Sequence, residues 1–352
     1  MQKTGWRLTK SELREWLDRL LRENRRVIAP VDRDGLRYFR PVTSADEVNL
    51  DPGKTRWSPK EFLFPRTEPL YTYDLRANGP ELHDPPLPEQ EQVVVGVRCC
   101  DAAGLVRLDE VFLKGKVEDP LYARRRALTT IVAFACAEVE PECFCTAVGG
   151  SPMGTEGVDL LVIPFGADWL VRPVTEKGRA LAQEAWKAAS REAWSLAEEQ
   201  GQRVAQEIAR TPVAKEWAAT LEQNFDSPVW KDVAGRCLSC SICAYVCPSC
   251  SCFDVHHEGN PWGGREIRCW DACTYALFTL HASGHNPRGG SDARYRQRAL
   301  HKFSYLAPGE DDVIRCVGCG RCIALCPAGI DIHDAVRRVV ASSQEGDAHG
   351  RG

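Results

Sequence analysis

The sequence predicts an α/β domain followed by a mainly α-helical, cysteine-rich domain. Short β-branched runs between residues 93 and 174 predict the sheet of the first. Two copies of one cysteine pattern, parted by a long insert, predict the second.

Composition sets the outer limits. The chain has 352 residues, 17 cysteines and a formal charge of -4. That length allows two or three domains and a sizeable core. The charge gives no argument for nucleic acid or a strongly anionic partner. Met1 to Lys10 is polar and lacks an apolar h-region, so no secretory signal is expected. No apolar run approaches the ~18 residues that span a bilayer, so no membrane span is expected. The chain reads as soluble and cytoplasmic, where cysteines in a large unexported protein serve metals rather than disulfides.

Residues 1–175 read as the α/β domain. Leu13, Leu17, Leu20 and Leu21 share a stripe, with Trp16 beside it, which predicts a helix over Ser11–Arg22 capped by Ser11. Pro41 to Pro88 is rich in proline and aromatics and predicts irregular chain or short strands. Val93–Val97, Thr129–Ala135, Val158–Ile163 and Trp169–Val174 read as buried strands. A helix from Ala102 to Phe112 would join the first two in a parallel crossover.

Residues 176–227 read as a helical linker or bracket, a partner-facing helix, or a helical layer packed on the sheet, rich in Ala, Glu, Gln, Arg and Leu to residue 223, with breaks or bends expected at Gly201 and Pro212. Residues 228–338 carry the cysteine pattern with an insert at 248–315, where Asp271–Leu280 and Ala293–Leu306 predict helices. Residues 339–352 read as a flexible tail.

The first copy of the pattern is Cys237-x-x-Cys240-x-x-Cys243-x-x-x-Cys247-Pro248. The second is Cys316-x-x-Cys319-x-x-Cys322-x-x-x-Cys326-Pro327. This is the ligand spacing of bacterial-type [4Fe–4S] clusters. Three cysteines two residues apart let a tight loop wrap three irons; a distant fourth closes the tetrahedron, and the proline turns the chain away. In two-cluster ferredoxins the fourth cysteine of each run serves the other cluster. One cluster then takes Cys237, Cys240, Cys243 and Cys326, and the other Cys316, Cys319, Cys322 and Cys247. Zinc knuckles use paired cysteines, and three in series suit a cubane better. The second domain is therefore expected to be a two-cluster ferredoxin-like fold.

Nine cysteines remain. Cys99, Cys100, Cys136, Cys143 and Cys145 lie in the first domain, where Cys99–Cys100 and Cys136 end two expected parallel strands on one sheet edge. They are candidates for a third cluster, with buried free thiols as the other reading. Cys250, Cys252, Cys269 and Cys273 are candidates for a fourth, with packing around the first two clusters as the other reading. Cys269 and Cys273, four apart, would share a helix face. His256, His257, His281 and His285 read as hydrogen-bonding or surface groups before ligands. Arg294, Arg296, Arg298 and Lys302 form a basic run that would raise a cluster's potential, help a partner dock, or simply face solvent. Gly149 to Gly154 fits neither G-x-G-x-x-G nor the Walker pattern and reads as a turn-rich loop. No flavin or nicotinamide site is evident.

Several segments resemble one family. Gly96-Val97-Arg98-Cys99-Cys100-Asp101 is similar to the G-V-R-P-C-D segment of soluble sulfhydrogenase beta subunits and anaerobic sulfite reductase A subunits, departing at Cys99. Cys143-Phe144-Cys145-Thr146 resembles a C-F-C-T segment there. Pro248 to Asp254, Trp270 to Cys273, Leu280 to Arg288, Arg294 to Arg298 and His301 to Tyr305 are also similar. The resemblance runs from about residue 90 to 335. It implies a subunit that binds [4Fe–4S] clusters and relays electrons, with no independent substrate site. It implies a companion subunit with flavin that binds NAD(P)H. It also implies a terminal redox subunit of nickel–iron hydrogenase, sirohaem sulfite reductase or heterodisulfide reductase type. The alternatives are a reductase working through an N-terminal cluster, and a cluster-based redox sensor.

Overall fold

The computed structural model describes residues 5–51, 53–76, 79–208, 210–305 and 314–349. β1 (Trp6–Leu8) leads into α1 (Lys10–Arg22), and β2 (Arg26–Arg33) and β3 (Leu36–Pro41) form a hairpin over Asp34-Gly35. Both turn residues have positive φ, as a two-residue hairpin turn requires. β4 (Thr67–Asp74) and β5 (Glu81–His83) precede β6 (Gln92–Arg98), α2 (Cys99–Phe112), α3 (Pro120–Leu128) and β7 (Thr129–Phe134). β8 (Leu160–Phe165), β9 (Asp168–Pro173), α4 (Glu176–Ala180), β10 (Lys187–Ala188) and α5 (Arg191–Glu207) follow.

The main sheet runs β10-β1-β9-β8-β7-β6-β2-β3. β2, β6, β7 and β8 pair in parallel, and the flanking pairs are antiparallel. Every residue of β6 and β7 is buried, which accounts for the apolar stretches Val93–Val97 and Ile131–Phe134 inside them. α1 covers one face through Leu13, Trp16, Leu17 and Leu20. α2 and α5 cover the other through Leu105, Leu108, Trp194 and Ala197.

Two local expectations change. α1 is capped by Thr9, not Ser11: Thr9 Oγ1 accepts from Glu12 N at 3.2 Å, and Glu12 Oε2 accepts from Thr9 N at 2.7 Å. The reciprocal pair fixes the start at Lys10, one residue earlier than the apolar stripe suggests. Gly201 does not break its helix; α5 runs through it, and a Cβ there would stand 2.1 Å from Met153 Sδ. The glycine is a point of close approach. Pro212 does lie in the gap between α5 and α6 (Glu216–Gln223).

The rest of the chain comprises α7 (Val229–Ala234), α8 (Ile242–Tyr245), a hairpin of β11 (Phe253–Asn260) and β12 (Gly263–Trp270), α9 (Ser291–Phe303), α10 (Arg321–Ala324) and α11 (Ile332–His349). The hairpin corrects the expectation of a mainly helical domain with only helices expected in its insert. β12 pairs with β4, giving a second sheet ordered β11-β12-β4-β5 that joins the insert to the proline-rich segment. Buried Arg268 on β12 pairs with Glu68 and Asp119, and Trp270 packs on Phe64 with ring centroids 5.8 Å apart.

Asp271–Leu280 is not a helix but a series of turns. Asn286 holds them, accepting from the Thr279 hydroxyl and donating to the Ala276 carbonyl. Cys269, at the end of β12, and Cys273, in the turns, therefore share no helix face. The second expected insert helix is α9; residue 306 lies outside the described residues. The boundary at 338 falls inside α11, whose Val339 and Val340 are buried. Trp230, Leu300, Phe303 and Val336 form the core of this region, and Phe144 and Ala147 reach into it from the first domain.

Candidate metal centre

The two cysteine runs adopt the same backbone. In the second, Gly318 and Gly320 flank Cys319 with φ of 62° and 74°. In the first, Ser239 and Ser241 occupy the matching positions with φ of 52° and 62°. Left-handed serines cost about 1 kcal/mol or more each, so surrounding contacts must hold them. Ser239 Oγ accepts from Arg294 Nη2 at 3.1 Å, and Ser241 shares a 2.8 Å hydrogen bond with Thr274. Each loop then enters a short helix, α8 or α10, carrying its third cysteine.

The runs are interleaved. Cys237, Cys240, Cys243 and Cys326 line one cavity, together with Cys322, Tyr295 and Arg298. Cys247, the last of the first run, acts electrostatically on Cys316, Cys319 and Cys322 of the second run as well as on Cys243 of its own. Burial pushes the Cys316 thiol up to about 12. Such a sulfur becomes a ligand only when a metal displaces its proton. Among the described residues no three His, Cys, Asp or Glu side chains close on a point fit for one bare ion. The three leading thiols of the first run stand with Cys322 and Cys326 around a cavity rather than a point.

The basic run resolves by helix face. Arg294, Arg298 and Lys302, four apart on α9, point inward and are buried. Arg298 Nη1 donates to Cys250 Sγ at 3.2 Å and Nη2 to the Cys243 carbonyl at 2.7 Å. Lys302 Nζ donates to Ser249 Oγ at 2.9 Å. Arg296 turns outward over Phe225, 3.6 Å from the ring centroid. Lys60, from the proline-rich segment, donates to the Cys250 carbonyl at 3.1 Å and lies 4.1 Å from the Trp270 ring centroid. Burial lowers it to about 8. Buried cations beside thiols favour an anionic occupant. Lys60 escaped the sequence reading because its segment has no periodicity; the four-residue spacing on α9 was the signal available for Arg298 and Lys302.

Cys250, Cys252 and Cys273 gather near Cys247. Cys273 hydrogen-bonds Cys252, which lowers Cys252 to about 6. Cys269 parts from them and donates to Thr67 Oγ1 at 3.5 Å. His256 and His257 lie on β11 beside carboxylates, and His281 and His285 contact each other at 5.4 Å between centroids. None of these histidines lines either cysteine cavity.

The strand ends of the first domain do meet. Arg98, closing β6, pairs with Phe134, closing β7, so Cys99, Cys100 and Cys136 arrive on one sheet edge. With Cys143 and Cys145 they line a cavity of about 90 Å³. The loop of residues 149–154 is a turn, as expected, and walls this cavity through Ser151 and Pro152. Lys54, Arg98 and Cys319 also line it.

Residues 236–330 match the 4Fe-4S dicluster domain family. Sulfhydrogenase 2 subunit beta of Pyrococcus furiosus is 32% identical over 315 residues, covering 88% of this chain and 91% of the relative. The chain belongs to the sulfhydrogenase beta-subunit family. No solved structure matches it. The family match supplies the iron–sulfur character of residues 236–330, and the sulfhydrogenase relative spans the α/β domain as well. No helix among the described residues is long and apolar enough to cross a membrane.

Proposed function

We propose that this sulfhydrogenase-beta-like chain is an electron-relay subunit of a multi-subunit oxidoreductase. The interleaving of two cysteine runs on one repeated backbone, inside a dicluster domain, carries this reading. Cys237, Cys240, Cys243 and Cys326 hold one [4Fe–4S] cluster; Cys316, Cys319, Cys322 and Cys247 hold the other. Bound clusters supply one-electron transfer, and the protein sets their potentials by burial, charge and hydrogen bonding. Arg298 and Lys302 stabilise added negative charge near both runs. Cys247-Pro248 is seated on α2 at Gly104, where a Cβ would stand 2.5 Å from Pro248. The α/β domain thereby fixes the ligand of the second cluster.

The partners follow from the family and from the absence of a hydride-handling fingerprint in the sequence. A flavin subunit that binds NAD(P)H feeds or drains the chain. A terminal redox subunit of nickel–iron hydrogenase, sirohaem sulfite reductase or heterodisulfide reductase type sits at the other end. Anaerobic co-purification from the native cell tests this. A flavin subunit and a terminal redox subunit should travel with the chain, and NAD(P)H should reduce its clusters only in the complex. Turnover of sulfite, polysulfide or a disulfide by the isolated chain would contradict a pure relay.

A further inference from the structure

We propose that the cavity at the ends of β6 and β7 holds a third [4Fe–4S] cluster, ligated by Cys100, Cys136, Cys143 and Cys145. The proposal deepens the relay reading by adding a station outside the dicluster domain. The sulfurs come from separate segments: the start of α2, the exit of β7 and the loop before Gly149. Only the tertiary fold unites them, so their meeting is not a by-product of one cysteine-rich run.

Charge points to an anionic occupant. Arg98 is 4% exposed and donates to the carbonyls of Gly53, Phe134 and Ala135. Among the described residues it meets no carboxylate. Lys54 Nζ lies 3.4 Å from Cys143 Sγ and 2.9 Å from Glu140. The cavity's carboxylates, Glu140 and the exposed Glu138, leave Arg98 buried with carbonyl partners alone, a charge that a four-thiolate cluster would neutralise.

The choice among five cysteines follows from contacts. Cys99 Sγ donates to the Pro152 carbonyl at 3.3 Å, and its side chain belongs to the apolar core with Val97, Ala102 and Ala135. Four thiols remain, the number one cubane takes. Their site adjoins the second run. Cys319 lines the same cavity, Phe144 N donates to the Gly318 carbonyl at 2.9 Å, and Lys54 Nζ donates to the Cys319 carbonyl at 2.8 Å. On the outer side Glu138 is exposed, so the cavity lies close to the protein surface.

The test uses the full chain prepared anaerobically, with iron and sulfide counts and spin quantitation. Cys136→Ala/Cys143→Ala should lose about four iron and four sulfide while keeping the dicluster signals, and Cys99→Ala should lose none. Undiminished iron in the double variant, or a loss of about four in Cys99→Ala, overturns the proposal. Should the double variant fail to fold, the wild-type count decides. Twelve or more irons support a third cluster. About eight overturns it and leaves the dicluster reading standing, and none defeats both. Lys54→Met should move the midpoint of this cluster to more negative potential, and Lys54→Arg should restore it.

Discussion

Asp101 and Arg321 form a buried two-pronged ion pair, with Oδ2 accepting from Nη2 at 2.8 Å. Asp101 follows Cys100 on α2; Arg321 lies between Cys319 and Cys322. Arg321 Nε also donates to the Thr55 carbonyl at 2.9 Å. The pair ties the first domain to the second cysteine run. Asp101→Asn leaves a buried guanidinium without its countercharge and should cost about 3–5 kcal/mol. Denaturant unfolding of the anaerobic holoprotein measures this. A cost below about 1 kcal/mol, the range of exposed pairs, would show that the pair is not a structural tie.

Gly318 combines positive φ with close packing. A Cβ there would stand 2.5 Å from backbone atoms of Phe144 and Cys145. Gly318→Ala must therefore push the two cysteine loops apart. It should destabilise the protein by more than about 1 kcal/mol, beyond the intrinsic cost of a left-handed alanine. Limited proteolysis should show the 137–145 loop cut faster in the variant. An unchanged cleavage pattern would count against tight packing there.

Arg298 stands beside both cysteine runs, acting on Cys243, Cys322 and Cys247. A cation favours the more negative, reduced state of a neighbouring cluster. At an effective dielectric of ~20, a charge about 10 Å away contributes roughly 1.5 kcal/mol. Since ~59 mV is tenfold for one electron, Arg298→Met should lower a cluster midpoint by several tens of millivolts. Redox titration monitored by electron paramagnetic resonance reads the shift, and a rise in potential would refute the assignment.

The cap of α1 gives a pH prediction. The Thr9 backbone N–H, then its hydroxyl, hold Glu12 below the ordinary value of 4.5. Its contribution is complete above the unfolded value and fades as pH falls through the lower folded one. Glu12→Gln should speed amide exchange in α1 about two- to fivefold at neutral pH, the scale of an exposed cap. The difference from wild type should begin to narrow only as pH falls below the ordinary value of 4.5 and close below the lower folded one. A gap that widens in acid would reverse the sign.

The sequence was most legible where the chain makes regular local structure. The all-buried β6 and β7 announce themselves as β-branched runs, and their parallel pairing follows from α2 between them. The cysteine spacing was equally plain. The β11–β12 hairpin was hidden because most of β11 is exposed on both faces and shows no apolar alternation. Asp271–Leu280 carries helix-like letters, yet Leu277 and Leu280 stay exposed; side-chain bonds and buried Cys273 shape the segment instead. Lys54, Lys60 and Arg98 act through contacts with residues far away in sequence, which no local pattern records.

The crosswise pair of clusters is tested most directly by iron analysis and electron paramagnetic resonance of the anaerobic chain and two variants. Cys240→Ala and Cys319→Ala should each remove about four irons and a different one of two interacting reduced-cluster signals. Iron content unchanged in both variants, or zinc in place of iron in the wild type, would contradict the account.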